Sequence, residues 1–232
     1  MTNPKDPPKN SPAPVVIALD GPAASGKGTL AKRIAAKYGF AHLDTGKLYR
    51  AVAYLIVSAG CNPSDRMAAI AAAERITPDL LALPALRSAE IGRTSSIVAA
   101  IGEVRAALLA YQRNFAAHPP GNAPGAVLDG RDIGSVICPE AGVKLFVTAR
   151  PEVRARRRFL ELQADGSPLS ENEILADIKE RDARDSSRKD APLVQAPGAY
   201  LLDTSDLSIE AAFAAACAII DDQLDQGVAG RS

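Results

Sequence analysis

Five short apolar runs punctuate this chain, at Val15–Leu19, Phe40–Leu43, Ala126–Leu128, Val143–Thr148 and Ala199–Leu202. Each is short enough for a strand and lies among turn residues or helical patterns, as buried strands do. After the first, Thr29 opens a helix on which Leu30, Ile34 and Tyr38 recur four apart before Gly39 stops it. After the second, Leu48, Val52, Leu55 and Ala59 form an apolar stripe closed by Gly60. Helical patterns also follow the last two runs. Strands separated by helices require right-handed crossovers, which predicts an α/β fold with a five-stranded parallel sheet covered by helices on both faces. Every loop that leaves a strand's carboxyl end then falls on one edge, where ligands bind.

Between the second and third strands the pattern is helical throughout. An alanine-rich piece runs to Ile76, Pro78 and Pro84 interrupt it, and Val104, Leu108, Tyr111 and Phe115 then share one face. Residues 63–118 read as an insertion, and 119–125 as a turn-rich linker. The first 14 residues hold five prolines among polar side chains and read as a disordered leader.

The stretch VVIALDGPAASGKGT sends the first strand straight into a loop bounded by Gly21 and Gly26, with Pro22, Ala23, Ala24 and Ser25 between them and Lys27 just beyond. Glycines let successive backbone N–H groups converge on an anion at a helix N-terminus, and one lysine adds mobile positive charge. The predicted ligand is the phosphate chain of a nucleotide. Gly28 stands where many such loops carry Ser or Thr, and the hydroxyl arrives one place later at Thr29. That spelling resembles nucleoside monophosphate kinases more than GTPases, and no Asn-Lys-x-Asp element occurs in the chain.

Charge sharpens the picture elsewhere. Lysine plus arginine and aspartate plus glutamate both number 27, so no global field draws the chain to nucleic acid or to an anionic membrane. Anion recognition must be local. Asp129, Gly130, Arg131 and Asp132 emerge where the third strand ends, either at the ligand edge or as a solvated turn. Ser170 and Glu173 have capping-box spacing, and the helix they start carries Ile174 and Ile178, then Arg181, Asp185 and Arg188 on the same face. Such a face points to a polar cleft or forms a salt-bridged surface. Arg150, Arg154, Arg156, Arg157 and Arg158 cluster after the fourth strand, compatible with a nucleic-acid patch, a solvated face or a lid over ATP. Tyr49 and Arg50 emerge beside the core on the second helix. His42 and His118 have no acid or nucleophile at a recognisable spacing, and three scattered cysteines offer no zinc or disulfide framework. No apolar run approaches a membrane span or a signal peptide, so a cytoplasmic protein is expected.

Taken together, IALDGPAASGKGT, LDTGKLYRAVA, VLDGRDIGSV and IKERDARDSSRKDAPL resemble, in order, the motifs of bacterial-type cytidylate kinases, over roughly Val15 to Leu224. The resemblance implies a P-loop kinase core (15–62, 119–150 and 189–224), a nucleoside-monophosphate-binding insertion (about 63–118), an arginine-rich lid (about 151–188) and a flexible tail (225–232). It implies ATP as phosphoryl donor, held with Mg²⁺ by Gly21 to Thr29, with Thr29 as the metal contact. CMP and dCMP are the implied acceptors, with UMP or another acceptor as the alternative. Thr45, Arg50, Arg131 and Arg188 would hold the acceptor phosphate, Ser96, Arg105 and Asp132 the cytosine, and Arg181 and Asp185 the sugar, with Tyr49 beside them. Lys27, Arg131, Arg188 and Arg157 would be the catalytic cations. A monomer binding neither nucleic acid nor membrane is expected. Many members carry a β-hairpin in the insertion; here 63–93 is shorter and predicted helical.

Overall fold

The computed structural model describes residues 13–164, 166 and 168–229, so the predicted leader lies almost wholly outside the described residues. Five strands, β1 (Val15–Asp20), β2 (Ala41–Asp44), β3 (Gly125–Gly130), β4 (Val143–Thr148) and β5 (Tyr200–Asp203), form one parallel sheet in the order β2-β3-β1-β4-β5. Alternate side chains along the strands feed two different cores. Ile17, Leu19, Val127, Val143, Leu145 and Val147 pack under α1 (Lys27–Tyr38) and α9 (Ile209–Ala229). Ala18, Ala126 and Leu128 face the other way, toward Ala116 of α6 (Gly102–Ala117) and toward Ile133 and Ile137.

The inserted region is helical, as expected: α3 (Arg66–Ala73), α4 (Pro78–Leu81), a 3-10 turn at Pro84–Arg87, α5 (Ala89–Val98) and α6. Proline opens both α4 and the 3-10 turn, where its missing N–H costs nothing. The helix after β2, α2 (Thr45–Ser58), buries Leu48, Val52 and Ile56 in one cluster with Ala69 of α3, Ile91 of α5 and Val104 of α6. The sequence assigned α2 to the kinase core, yet its apolar face belongs to the insertion. Leu55 and Ala59 of the predicted stripe are less buried than Ile56, because the helix turns a wider face inward.

Other expectations also shift. α1 begins at Lys27 rather than Thr29, since Gly26 in a left-handed conformation already serves as its N-cap. β5 is an edge strand on which only Leu202 is buried. α9 runs on to Ala229, past Leu224, carrying Gly227 within it because an established helix propagates at little cost per residue. α7 (Pro151–Ala164) and α8 (Glu171–Ser187) form a small layer of their own around Ala155, Leu162, Ile174 and Ile178, and Ser170 closes the predicted capping box with Glu173. No single helix among the described residues is long and apolar enough to cross a membrane.

Candidate active site

β1 ends at Asp20, and the next residue turns sharply. Gly21 has φ +149°, and a Cβ there would sit 1.9 Å from the Val147 carbonyl oxygen of β4, so no side chain fits. The loop then wraps to Gly26 (φ +87°) and delivers the free N–H groups of the first turn of α1 to one spot. Its carbonyls are tied down from outside: Ala23 O accepts from Arg154 Nη1 (3.3 Å) and Ser25 O from Thr204 Oγ1 (2.9 Å). A cavity of about 490 Å³ opens over Gly26–Leu30, walled by Arg157, Thr204 and Leu207. Lys27 Nζ has no hydrogen-bond partner among the described residues, and burial, followed by the nearby Arg131, pushes it down to about 8. A lysine with no direct hydrogen bond beside converging N–H groups is an arrangement that suits an anion.

Across the sheet edge lies a second group of charges. Asp185 is fully buried on α8 and accepts from Arg131 Nε (3.0 Å) and from Arg188, with Arg181 Nε at 3.8 Å. Burial alone would raise its carboxyl; Arg131, Arg188 and Arg181 outweigh that and hold it below the usual range. Arg188 Nε and Arg181 Nε remain buried without a hydrogen bond. Three guanidinium groups thus share one carboxylate, leaving surplus positive charge aimed at the same space. Beside them Arg105 on α6 pairs with Asp132 at 2.5 Å and lies over the Tyr49 ring, 5.3 Å from its centroid. Thr45 Oγ1 donates to Asp129 O (2.8 Å) at the start of α2. The cavity these residues enclose is only about 50 Å³, well below the several hundred that small ligands occupy. It adjoins a cleft of about 430 Å³ between α5 and α8, where Arg50, Ser96, Arg158 and Arg181 lie.

The structure therefore brings together Thr45, Tyr49, Arg105, Arg131, Asp132, Arg181, Asp185 and Arg188. Ser96 faces the adjoining cleft instead, and its Oγ accepts from Arg184 Nε at 3.4 Å. Arg50 is turned toward that cleft as well, donating to Leu86 O (2.6 Å). The arginine cluster after β4 divides by helix face. Arg154 is almost wholly buried, joined to Asp182 through both of its terminal nitrogens (3.1 and 2.6 Å), so it staples the glycine loop to α8 and is no mobile lid group. Arg157 reaches Thr204 Oγ1 (3.0 Å) and Thr204 O (2.7 Å), with Nη1 3.9 Å from where a Cβ on Gly26 would stand. Arg158 borders both large cavities, while Arg150 and Arg156 pair with Asp206 and Glu171 on the exposed side.

Three residues complete this side of the site: Asp129, expected at the ligand edge, and Asp44 and His42, for which the sequence suggested no role. Asp44 and Asp129 end neighbouring strands beside Lys27; burial first, then Asp129, raises the Asp44 carboxyl. Asp129 Oδ1 lies 3.9 Å from the Cβ position of Gly28. Its other oxygen is 2.7 Å from His42 Nε2, so the histidine left without a role sits behind this carboxylate. A strand-end aspartate after an apolar run is the signal that placed Asp129 at the ligand edge, and it would have found Asp44 too; His42 needs the β2-β3 pairing to be known.

A strand, a glycine loop and a lysine-bearing helix N-terminus, facing an arginine-lined cleft over a parallel sheet, define a P-loop kinase. Residues 17–222 match the sequence profile of cytidylate kinase. Curated relatives bearing that name include those of Rhodopseudomonas palustris (strain BisB18), 57% identical over 207 residues, 89% of this chain and 96% of the relative. That of Rhodospirillum rubrum is 55% identical over 206 residues, 89% of this chain and 97% of the relative. That of Bradyrhizobium diazoefficiens is 55% identical over 207 residues, 89% and 96% of the two chains. The chain belongs to the cytidylate kinase family.

Proposed function

We propose that this protein transfers the γ-phosphoryl group of ATP to CMP and dCMP, giving ADP with CDP or dCDP. The observation that carries the reading is that two cavities share a wall: Ala24, Arg158 and Glu161 line both the space over Lys27 and the cleft that holds Arg50 and Arg181. The donor lysine and the acceptor arginines thus address one space.

Transfer between nucleotides needs no general base, because the attacking atom is a phosphate oxygen already ionised at neutral pH. It forms a bond to the γ-phosphorus as the bond to the β-phosphate oxygen breaks. The obstacle is charge: two unit charges at about 4 Å repel by on the order of 4 kcal/mol at an effective dielectric near 20. Lys27, Arg157 and the loop N–H groups face the donor, while Arg131 and Arg188, with Thr45 and Arg50, grip the acceptor phosphate through paired N–H donors. Arg181 and Asp185 meet the sugar. Arg105, Ser96 and Asp132 read the base: a carboxylate accepts from the cytosine amino group, whereas uracil presents an oxygen of like polarity. An acceptor entering the enclosed pocket exchanges the Arg188–Asp185 and Arg131–Asp185 bonds for bonds to its own phosphate, and the adjoining cleft supplies the room.

The residues also suit a magnesium ion. Asp44 and Asp129 present carboxylates next to the loop, with Asp129 disfavouring the charged form of Asp44, and Thr29 adds a hydroxyl on the first turn of α1, an all-oxygen set of the kind a hard dication takes. Bound there, magnesium would neutralise donor phosphate charge. The small-molecule chemistry fits a cytoplasmic enzyme acting as a monomer. An acceptor panel of CMP, dCMP, UMP, AMP and GMP, read by ADP release, tests the proposal. Turnover concentrated on CMP and dCMP is expected; equal turnover of UMP, or none of any acceptor, overturns it.

A further inference from the structure

We propose that Asp20 and Arg113 are positioning residues that clamp, from opposite sides, the backbone turn carrying Arg131 and Asp132, and so set acceptor recognition in register with the donor loop. The proposal rests on the function proposed above and goes beyond it to residues that touch neither nucleotide.

The turn is a single wide one over Ile133–Ile137, in which Ile137 N–H bonds back five residues to Asp132 O (3.1 Å) and Cys138 N–H to Ile133 O (2.7 Å). A turn this short leaves its first N–H groups without internal partners. Asp20 supplies them from another strand: Oδ1 accepts from Ile133 N–H and Oδ2 from Gly134 N–H, both at 2.7 Å. It is 3% exposed and stands directly before Gly21, whose backbone is wedged against Val147 O, so it cannot drift relative to the donor loop. At the other end Arg113 of α6 donates Nε to Ile137 O (3.1 Å) and Nη2 to Val136 O (3.0 Å). The same helix carries Arg105, the partner of Asp132. Asp132 is therefore flanked by the donor strand behind it and the insertion helix in front. Loss of either grip frees the turn to shift, and Arg131 and Asp132 shift with it.

The test compares wild-type protein with Asp20→Asn, Arg113→Ala and Arg113→Lys. Binding of CMP and of a non-hydrolysable ATP analogue is measured by calorimetry, and kcat/KM is measured for CMP and for UMP. CMP binding and the CMP-over-UMP ratio should each fall about tenfold in Asp20→Asn and Arg113→Ala, the scale of one lost charge-assisted hydrogen bond, with ATP-analogue binding within about twofold. Arg113→Lys should recover part of the loss. Unchanged CMP binding and ratio, or equal weakening of CMP and the ATP analogue in step with the melting temperature, overturns the inference. Should Asp20→Asn fail to fold, Arg113→Ala decides, because its exposed helix position tolerates truncation. A wild-type protein that phosphorylates no CMP defeats the proposed function instead, whereas normal wild-type turnover with unaltered variants defeats only the clamp.

Discussion

The proposed donor and acceptor sides of this cleft are built from different materials. The proposed donor side is backbone: Gly21, Gly26 and the start of α1 bend one continuous stretch so that its N–H groups converge, beside Lys27, which has no hydrogen-bond partner among the described residues. The acceptor side is side chains: Arg131, Arg181 and Arg188 converge on Asp185, and Arg105 on Asp132, from β3, α6 and α8. A backbone cradle exists as soon as its strand and helix form. A side-chain cradle exists only after remote segments have packed, and until substrate arrives its cations need internal counter-ions. The donor site is therefore open at about 490 Å³ while the acceptor pocket is nearly filled by its own ion pairs.

Substitutions can break or sharpen that contrast. The largest effect should come from Lys27→Met, which removes the lysine charge of the proposed donor side; kcat should fall by on the order of 10³-fold with CMP affinity retained, as single-turnover kinetics and CMP titration would report. Equal loss of CMP binding would mean that the two sides are not separable. Next is Arg188→Lys, which keeps the charge but loses the planar fork. The kcat/KM for CMP should drop about 100-fold while the KM for ATP holds, and a uniform loss for both substrates would contradict the division of labour. Asp132→Ala should erase much of the preference for CMP over UMP, a change of about tenfold or more, with little effect on ATP; discrimination that survives would locate base reading elsewhere.

A smaller and different effect concerns pH. Burial raises Asp20 to about 6 from an ordinary 3.8, so between those values the folded protein holds a proton that the unfolded chain has released. The sign follows: this group's contribution favours the fold at low pH and is lost as pH rises through about 6, a change of roughly 3 kcal/mol for a shift of about two units. Melting curves of wild type and Asp20→Asn between pH 4 and 8 should show the wild type gaining relative stability as pH falls. A constant difference would mean the carboxyl is not perturbed. At neutral pH the fold thus retains an ionised carboxylate at a cost, consistent with a positioning rather than a stabilising role.

The same contrast explains what could be read in advance. The sheet, its helices and the loop from Gly21 to Thr29 were legible because apolar spacing and glycine placement are local signals. The face on which Ile174 and Ile178 give way to Arg181 and Asp185 was legible too, since α8 keeps that side inward, whereas Arg188, read as the next member of the face, lies just past the helix end at Ser187 in a non-helical conformation. Asp20, Asp44, His42 and Gln112 were not. Gln112 is 1% exposed, with Nε2 bonded to Leu108 O and Oε1 unpaired, yet its sequence neighbourhood resembles any helix surface. Arg154 misled for the same reason: among five arginines, nothing local distinguishes the one that folds inward onto Asp182. Charge placement across strands and helices depends on register, which spacing alone does not encode.

The central claim is that donor and acceptor phosphates meet end to end in one cationic cleft, and an adenosine and a cytidine joined 5′ to 5′ through a polyphosphate bridge test it directly. The compound should bind at least about 100-fold more tightly than ATP or CMP alone, because linking two sites that face each other removes most of the cost of the second binding event. That gain should vanish in Lys27→Met and in Arg188→Lys alike. Affinity no better than that of ATP would contradict the account, since it would mean the two cavities do not open onto a common path.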